Sequence, residues 1–318
     1  MSENYLETIR IKDGNEKLKA EFQAVYKRNS KEAINYINDR VLTFPSLYIL
    51  MPIIESLNIY KLLIPKNQIA IGIVNQITKP NANYDYLQAN DNAVHNSLRW
   101  MLETGIPLDT SSNEYEKILD VTVSVLINVY RDKNILPVVS DMIFKRNRIG
   151  HYINDLVWAY FRLGDPASLE LVAKHITSND NNDTELSCNL LNIRQPNENK
   201  EMLYKQYEEW LKENDPFLYF TNESYQISSN PAFAKVDLER KYLDKGTNSY
   251  DKQPIKLLSN EENKQLKAFE PLSEEVKAVL SEYSWKIKKK DKSEWKKWMN
   301  NPISVQINEA NANSEDSK

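Results

Sequence analysis

Apolar residues recur along much of the chain at the three- and four-residue spacing of amphipathic helices. Between residues 148 and 176 this spacing predicts two helices joined by a tight turn. The apolar positions are Ile149, Tyr152, Ile153, Leu156, Val157 and Tyr160 in the first helix, and Leu169, Val172, Ala173 and Ile176 in the second. Gly164 should end the first helix. Asp165 and Pro166 should begin the second, because Asp accepts from first-turn amides and Pro suits the first helical position.

The same arrangement of residues occurs 33 positions upstream. The shift places Asp132, Leu136, Val138, Val139 and Ile143 on Asp165, Leu169, Leu171, Val172 and Ile176. A period of this size is typical of helical arrays in which each helix pair buries its apolar face against its neighbours. The sequence therefore predicts an internal repeat.

The segment YFRLGDPASLELVAKHI resembles the HEAT-repeat family, in its short variety with a Gly-Asp-Pro-Ala turn between successive repeats. The resemblance covers roughly residues 112–193. In the upstream copy, Asp132-Lys133-Asn134 stands where the family has Gly-Asp-Pro. The resemblance implies an α-solenoid and carries little information about function, because solenoids serve many functions.

The patterns divide the chain into four segments. Residues 1–80 should form an N-terminal helical bundle that ends at the turn-forming Lys79–Asn83, and residues 81–213 should form the HEAT-like repeats. Residues 214–300 are rich in aromatic residues, lack a sustained period over most of their length and should form a strap across the repeats, followed by terminal helices. Residues 301–318 are polar and should be a disordered tail. The expected fold class is all-α: a HEAT-like helical-repeat solenoid with an N-terminal helical bundle and a C-terminal aromatic-rich strap.

Composition excludes several classes of site. The chain has only 6 glycines, and it contains no Gly-rich phosphate loop, HExxH or GxSxG sequence. Cys188 is the single cysteine, so an intrachain disulfide and a cysteine-based metal cage are impossible, and a reducing cytoplasm is the expected location. No apolar run is long enough to span a bilayer. We predict no cofactor, no metal site and no catalytic residue, and an enzyme is the less favoured interpretation.

Two polar features lie just before the predicted hairpin or in its first helix. His151 and Asp155 are four residues apart, which suits either an oriented imidazole for acid–base chemistry or an ordinary surface pair, and we favour the pair. Lys145, Arg146 and Arg148 form a basic cluster. It could bind phosphates of a nucleic acid, but a loop of solvated charges is the favoured interpretation.

The most unusual segment is Trp285–Met299. Residues 286–297 contain seven lysines against two acidic residues, a local charge of +5. The candidate binding residues in this Lys/Trp segment are Lys288, Lys289 and Lys290 for phosphate contacts and Trp295 and Trp298 for stacking. The alternative, which we favour, is that the indoles cap the last helices while the lysines stay in solvent.

Two hypotheses for function follow. The first is a non-catalytic scaffold or adaptor that binds another protein along a helical-repeat surface. The second is a nucleic-acid-binding HEAT-like protein that uses Arg146, Arg148 and the Lys/Trp segment, with His151 nearby. The sequence does not predict an oligomeric state or identify the partner.

Overall fold

The computed structural model describes residues 4–79, 86, 91–194 and 199–315. Across these residues the chain is mostly helical, with one small two-stranded sheet, which confirms the all-α prediction. The chain forms two compact units, an N-terminal unit (Met1–Leu163) and a C-terminal unit (Gly164–Lys318). These units differ from the four expected segments, because their single boundary lies inside residues 81–213. The turn expected at Lys79–Asn83 lies mostly outside the described residues.

The N-terminal unit contains nine α-helices in its described part. They are α1 (Tyr5–Asp13), α2 (Asn15–Arg28), α3 (Ser30–Asn38), α4 (Phe44–Ser56), α5 (Pro65–Thr78), α6 (Asn92–Gly105), α7 (Asn113–Asn128), α8 (Leu136–Arg148) and α9 (Asn154–Arg162). Helix α7 packs against α5, α6 and α9. Its Tyr115, Ile118 and Leu119 are fully buried, so this amphipathic helix supplies much of the core.

The C-terminal unit contains eight further α-helices and two strands in its described part. They are α10 (Ala167–Ala173), α11 (Asn181–Leu191), α12 (Lys200–Asn214), β1 (Leu218–Phe220), β2 (Ala234–Val236), α13 (Leu238–Leu243), α14 (Asn260–Phe269), α15 (Glu274–Lys290), α16 (Lys292–Met299) and α17 (Ile303–Glu315). The strands pair antiparallel, with Leu218 opposite Val236. Helix α15 packs against α13, α16 and α17, and Tyr242 stacks on Phe269 at 4.4 Å in the core between them.

The predicted turn between α9 and α10 is confirmed. Gly164 has a φ of +70°, a conformation that glycine adopts without strain, and Asp165 Oδ1 accepts from the Ala167 amide at 2.9 Å. The predicted inward residues that lie within the two helices are buried, namely Leu156, Val157, Tyr160, Leu169, Val172 and Ala173; Ile176, just after α10, is buried as well. The two helices nevertheless belong to different compact units.

The start of the first predicted helix is wrong. Helix α8 runs to Arg148, and α9 begins only at Asn154. Gly150, with a φ of +72°, turns the chain between them, and the His151 amide closes the end of α8 by donating to the Arg146 carbonyl at 3.0 Å. Ile149 therefore lies outside either helix and is exposed, as is Tyr152.

The predicted 33-residue correspondence holds in local structure. Asp132 Oδ1 accepts from the Asn134 amide at 3.1 Å, as Asp165 does from Ala167. The equivalent apolar residues share their burial: Leu136, Val139 and Ile143 are buried like Leu169, Val172 and Ile176, while Val138 and Leu171 are both half-buried. The assignment of these helices to the HEAT family stays a prediction.

The predicted aromatic strap forms part of a packed unit. Its Phe217, Phe220, Phe233, Tyr242 and Phe269 are buried in the C-terminal unit. Ser249 Oγ, from the same segment, donates to the Gly164 carbonyl at 2.7 Å and so contacts the turn before α10. Packing of the segment across a repeat array stays a prediction.

The predicted disordered tail is wrong for the described residues. Residues 303–315 form α17, because Ile303, Ile307 and Ala310 pack on the core of the C-terminal unit at helical spacing. Gln306 is 2% exposed and accepts from the Tyr242 hydroxyl at 2.7 Å. Among the described residues, no helix is long and apolar enough to cross a membrane.

Candidate functional site

The tryptophans of the Lys/Trp segment belong to the core rather than to an exposed stacking surface. Trp298 is 2% exposed and packs edge-on against Tyr242 and Tyr283, with centroid distances of 6.1 and 5.3 Å. Trp295 is half-buried and donates from Nε1 to Ser284 Oγ at 2.8 Å. The geometry matches the alternative in which the indoles cap the last helices.

The three candidate lysines differ in accessibility. Lys288 is half-buried, forms an ion pair with Asp244 and lies over the Trp295 ring at 4.6 Å. Burial lowers the pKa of Lys288. Lys289 and Lys290 are exposed, and Lys289 Nζ lies 3.7 Å from Glu213 Oε1. Two of the three lysines therefore remain accessible to a polyanion.

Arg146 is not on the surface where the sequence placed it. Its side chain is fully buried and donates to Asp109 Oδ1 at 2.7 Å and to Asp120 Oδ1 at 2.8 Å. A guanidinium enclosed by two carboxylates is not available to a phosphate, so Arg146 leaves the candidate interface. Arg148, at the end of α8, is exposed.

His151 has a different partner from the one expected. Because α9 begins at Asn154, His151 lies in the loop and does not share a helix face with Asp155. Its Nδ1 lies 2.7 Å from Glu116 Oε1 on α7, while Asp155 accepts from the Tyr152 hydroxyl at 3.3 Å. The pair links the loop before α9 to α7.

A second histidine–carboxylate pair lies in the N-terminal unit. His95 Nε2 is 2.8 Å from Asp132 Oδ2, and the His95 ring stacks on Tyr130 at 4.5 Å. Asp132 is also the residue whose carboxylate closes the turn before α8. These contacts explain the pair as a link between α6 and that turn. Among the described residues, no group of three or more His, Cys, Asp or Glu side chains is arranged to hold a metal ion.

A groove of about 410 Å³ lies in the C-terminal unit. It lies among α12, β2, α13, α15 and α17, and we call it the α15 groove. Its apolar lining residues are Trp210, Val236, Leu238, Ala278, Val279 and Ala310. Ala278 and Glu282 are four residues apart on α15, as are Val279 and Tyr283, so one face of this helix forms a long side of the groove.

Trp210 gives the α15 groove an exposed aromatic edge. The side chain belongs to α12, is 40% exposed and stacks on Tyr207 at 5.4 Å. Tyr207 is buried, so the stacking holds the indole in place while part of it faces solvent. An exposed but oriented indole is typical of binding surfaces.

A buried lysine lies among the apolar residues of the α15 groove. Lys241 is 3% exposed and donates from Nζ to Asn214 Oδ1 at 2.7 Å and to Glu282 Oε2 at 2.6 Å. Lys286 also lines the groove, with its Nζ 3.7 Å from Glu282 Oε1, and it is largely exposed. The groove thus combines an apolar surface with a small set of oriented charges, as ligand sites commonly do.

Comparison of the chain with protein-family models, curated proteins and solved structures finds no match. The chemistry of the α15 groove is therefore the basis for assigning a function.

The sequence pattern did not indicate the α15 groove. Its polar residues Asn214, Lys241 and Glu282 are separated by 27 and 41 positions, and they come together only when α12, α13 and α15 pack. No local motif relates them. The one usable signal was Lys241 itself, which lies next to the apolar Tyr242 and Leu243 in a part of residues 217–271 with a helical pattern.

Proposed function

We propose that the protein is a non-catalytic protein-binding module, which holds a segment of a partner protein in the α15 groove. The observation that carries this proposal is the combination of an apolar groove, an exposed Trp210 and an enclosed Lys241 in one place. Apolar concave surfaces with a few oriented polar groups are the usual binding sites of proteins.

A protein segment suits this groove for a physical reason. Three helices, α12, α15 and α17, present apolar side chains to the same space. Such a groove accepts the alternate apolar side chains of an amphipathic helix or extended peptide. Trp210 and Tyr283 are also of the residue types that carry most of the binding energy at protein interfaces.

The local 33-residue correspondence supports the proposal that α8 and α10 belong to HEAT-like repeats. Equivalent aspartates close equivalent turns, and equivalent apolar residues are buried. Helical-repeat proteins commonly act by binding other proteins, which agrees with a scaffold or adaptor role.

Nucleic-acid binding stays a prediction with less support. The stacking residues it needs are Trp295 and Trp298, of which the second is buried and the first half-buried beneath Lys288. It would therefore rest on exposed cations alone, which among the candidate residues are Lys289, Lys290 and Arg148. Contacts of that kind give sequence-independent binding that weakens steeply with salt.

The proposal is tested by selecting peptides from a random display library on the immobilised full-length protein. A parallel selection uses the Ala278→Arg variant, because Ala278 is exposed on α15 and lines the groove, so a long side chain there would fill it. We expect an apolar peptide family that binds the parent and not this variant.

The matched control is Ala24→Arg, the same substitution at an exposed position of α2 in the N-terminal unit. It should bind the selected peptides as the parent does, and thermal unfolding of both variants checks that each is folded. Failure to enrich any peptide family on the parent, or equal binding by the folded Ala278→Arg variant, would overturn the proposal.

A further inference from the structure

Charge in the α15 groove indicates which partner segment fits it. We infer that the segment carries a carboxylate flanked by apolar side chains, and that this carboxylate pairs with Lys241 and Lys286. The inference rests on the proposed function, and it adds the chemistry by which the partner is recognised.

Lys241 leaves one hydrogen-bond donor for a ligand. A lysine ammonium has three N–H donors, and in the described chain those of Lys241 have two acceptors, Asn214 and Glu282. The residue is 97% buried and lines the groove, so water reaches it poorly. A buried donor without an acceptor is unfavourable, and an oxygen brought by a ligand would remove that cost.

The charge balance of the groove favours an anionic oxygen over a neutral one. The charged residues that line it in the described chain are Lys241, Lys286 and Glu282, two positive and one negative. The 3.7 Å separation of Lys286 from Glu282 is longer than a hydrogen bond, and the exposed Lys286 can turn toward a ligand. A carboxylate would balance the charge and form charge-assisted hydrogen bonds beside apolar surface, where such bonds are strong.

The apolar residues that line the groove beside these lysines determine which other side chains the partner segment should carry. Val236 ends strand β2, and Leu238 lies on α13, the helix that also carries Lys241. Val279 and Tyr283 lie on α15. A segment with an acidic group next to bulky apolar residues would therefore satisfy both kinds of lining. The carboxylate can belong to an Asp or Glu side chain or to the partner's C-terminus, since both supply the same oxygen atoms.

The test uses the peptide most enriched on the parent protein, labelled with a fluorophore and followed by fluorescence anisotropy. Two altered peptides accompany it, one with its Asp or Glu changed to the amide and one with an amidated C-terminus, which distinguishes the two sources of the carboxylate. Each is titrated with the full-length parent, with Lys286→Gln and with the control Lys290→Gln, an exposed lysine at the end of α15 that does not line the groove.

We expect one of the two amide changes to weaken binding to the parent and to Lys290→Gln by about tenfold, as for a coupled charge pair. On Lys286→Gln the same change should cost less, about threefold, because one of the two partner charges is gone while Lys241 still pairs with the carboxylate. Lys241→Met, if folded by thermal melting, should show the same reduced sensitivity.

Several results would overturn the inference. If selected peptides bind in the groove but neither amide change affects them, the carboxylate is wrong while the proposed function stands. If decanoate displaces the peptide at equal concentration, the groove belongs to a small amphiphile. If the parent sediments as a dimer that Ala278→Arg dissociates, its occupant is a second copy of the chain.

Discussion

Arg146 is the largest fully buried side chain among the described residues. It stays charged because Asp109 and Asp120 surround its guanidinium with acceptors. Two carboxylates against one cation leave an excess negative charge in a partly enclosed place. Burial raises the pKa of Asp120 to about 6, and the charge of Asp109 acts in the same direction. The neighbouring guanidinium acts in the opposite direction.

Replacing Arg146 should destabilise the N-terminal unit strongly. Arg146→Met would leave Asp109 buried without its cation, and breaking a buried ion pair in this way costs about 3–5 kcal/mol. Urea unfolding followed by circular dichroism measures the change. Arg148→Ala, two positions on and exposed, should cost less than about 1 kcal/mol. Equal effects of the two substitutions would mean that Arg146 is not enclosed.

Asp120 should make stability fall as the pH rises from acid to neutral. The pKa of Asp120 is higher in the folded chain, about 6, than its ordinary value of 3.8, so the folded state holds this proton more tightly. The stabilisation that protonated Asp120 gives to the folded state is complete below about pH 4 and is lost as the pH rises through 6. The advantage in unfolding free energy of Asp120→Asn over the parent should therefore grow between pH 4 and 7, by up to roughly 3 kcal/mol.

The parent and Asp120→Asn share their other titrating groups, so the difference between their unfolding free energies isolates the effect of Asp120. Urea unfolding at several pH values supplies that difference. A difference that is constant with pH, or that shrinks toward neutral pH, would contradict the raised pKa.

At the scale of single elements, the apolar spacing predicted helix type and inward faces well. It failed where one residue decided a boundary. Gly150 ends α8 and delays the start of α9, and periodicity does not detect such a left-handed position when apolar residues continue through it. Helix α17 was missed because Ile303, Ile307 and Ala310 are few among many polar residues, and their burial depends on packing against the rest of the C-terminal unit.

The register of α10 predicts a difference between two neighbouring leucines. Leu169 is 2% exposed, so Leu169→Ala should cost about 2–5 kcal/mol through the cavity it leaves. Leu171 is only half-buried, and Leu171→Ala should cost distinctly less. Thermal and urea unfolding of the two variants compare them directly. A larger loss for Leu171→Ala would show that the helix presents a different face.

At the scale of the whole molecule, composition and periodicity indicated an all-α chain, and the structure is mostly helical. They could not indicate the α15 groove, whose lining residues extend from Trp210 to Asn313. The same limit explains why the sequence alone could not determine whether the candidate binding residues are exposed. Arg146 looked like one of the solvated charges of a basic loop, and Trp298 suited both a stacking surface and a cap on the last helices. Packing with distant partners buries both. The proposed binding site depends on contacts between segments that no local pattern connects.

The central claim, that a partner segment binds in the α15 groove, is tested most directly by hydrogen exchange. Amide exchange of the full-length protein is followed by mass spectrometry with and without a saturating selected peptide. The proposal predicts slower exchange in α12, α13, α15 and α17, and unchanged exchange in α1–α9. Protection confined to the N-terminal unit, or no protection at saturation, would contradict it.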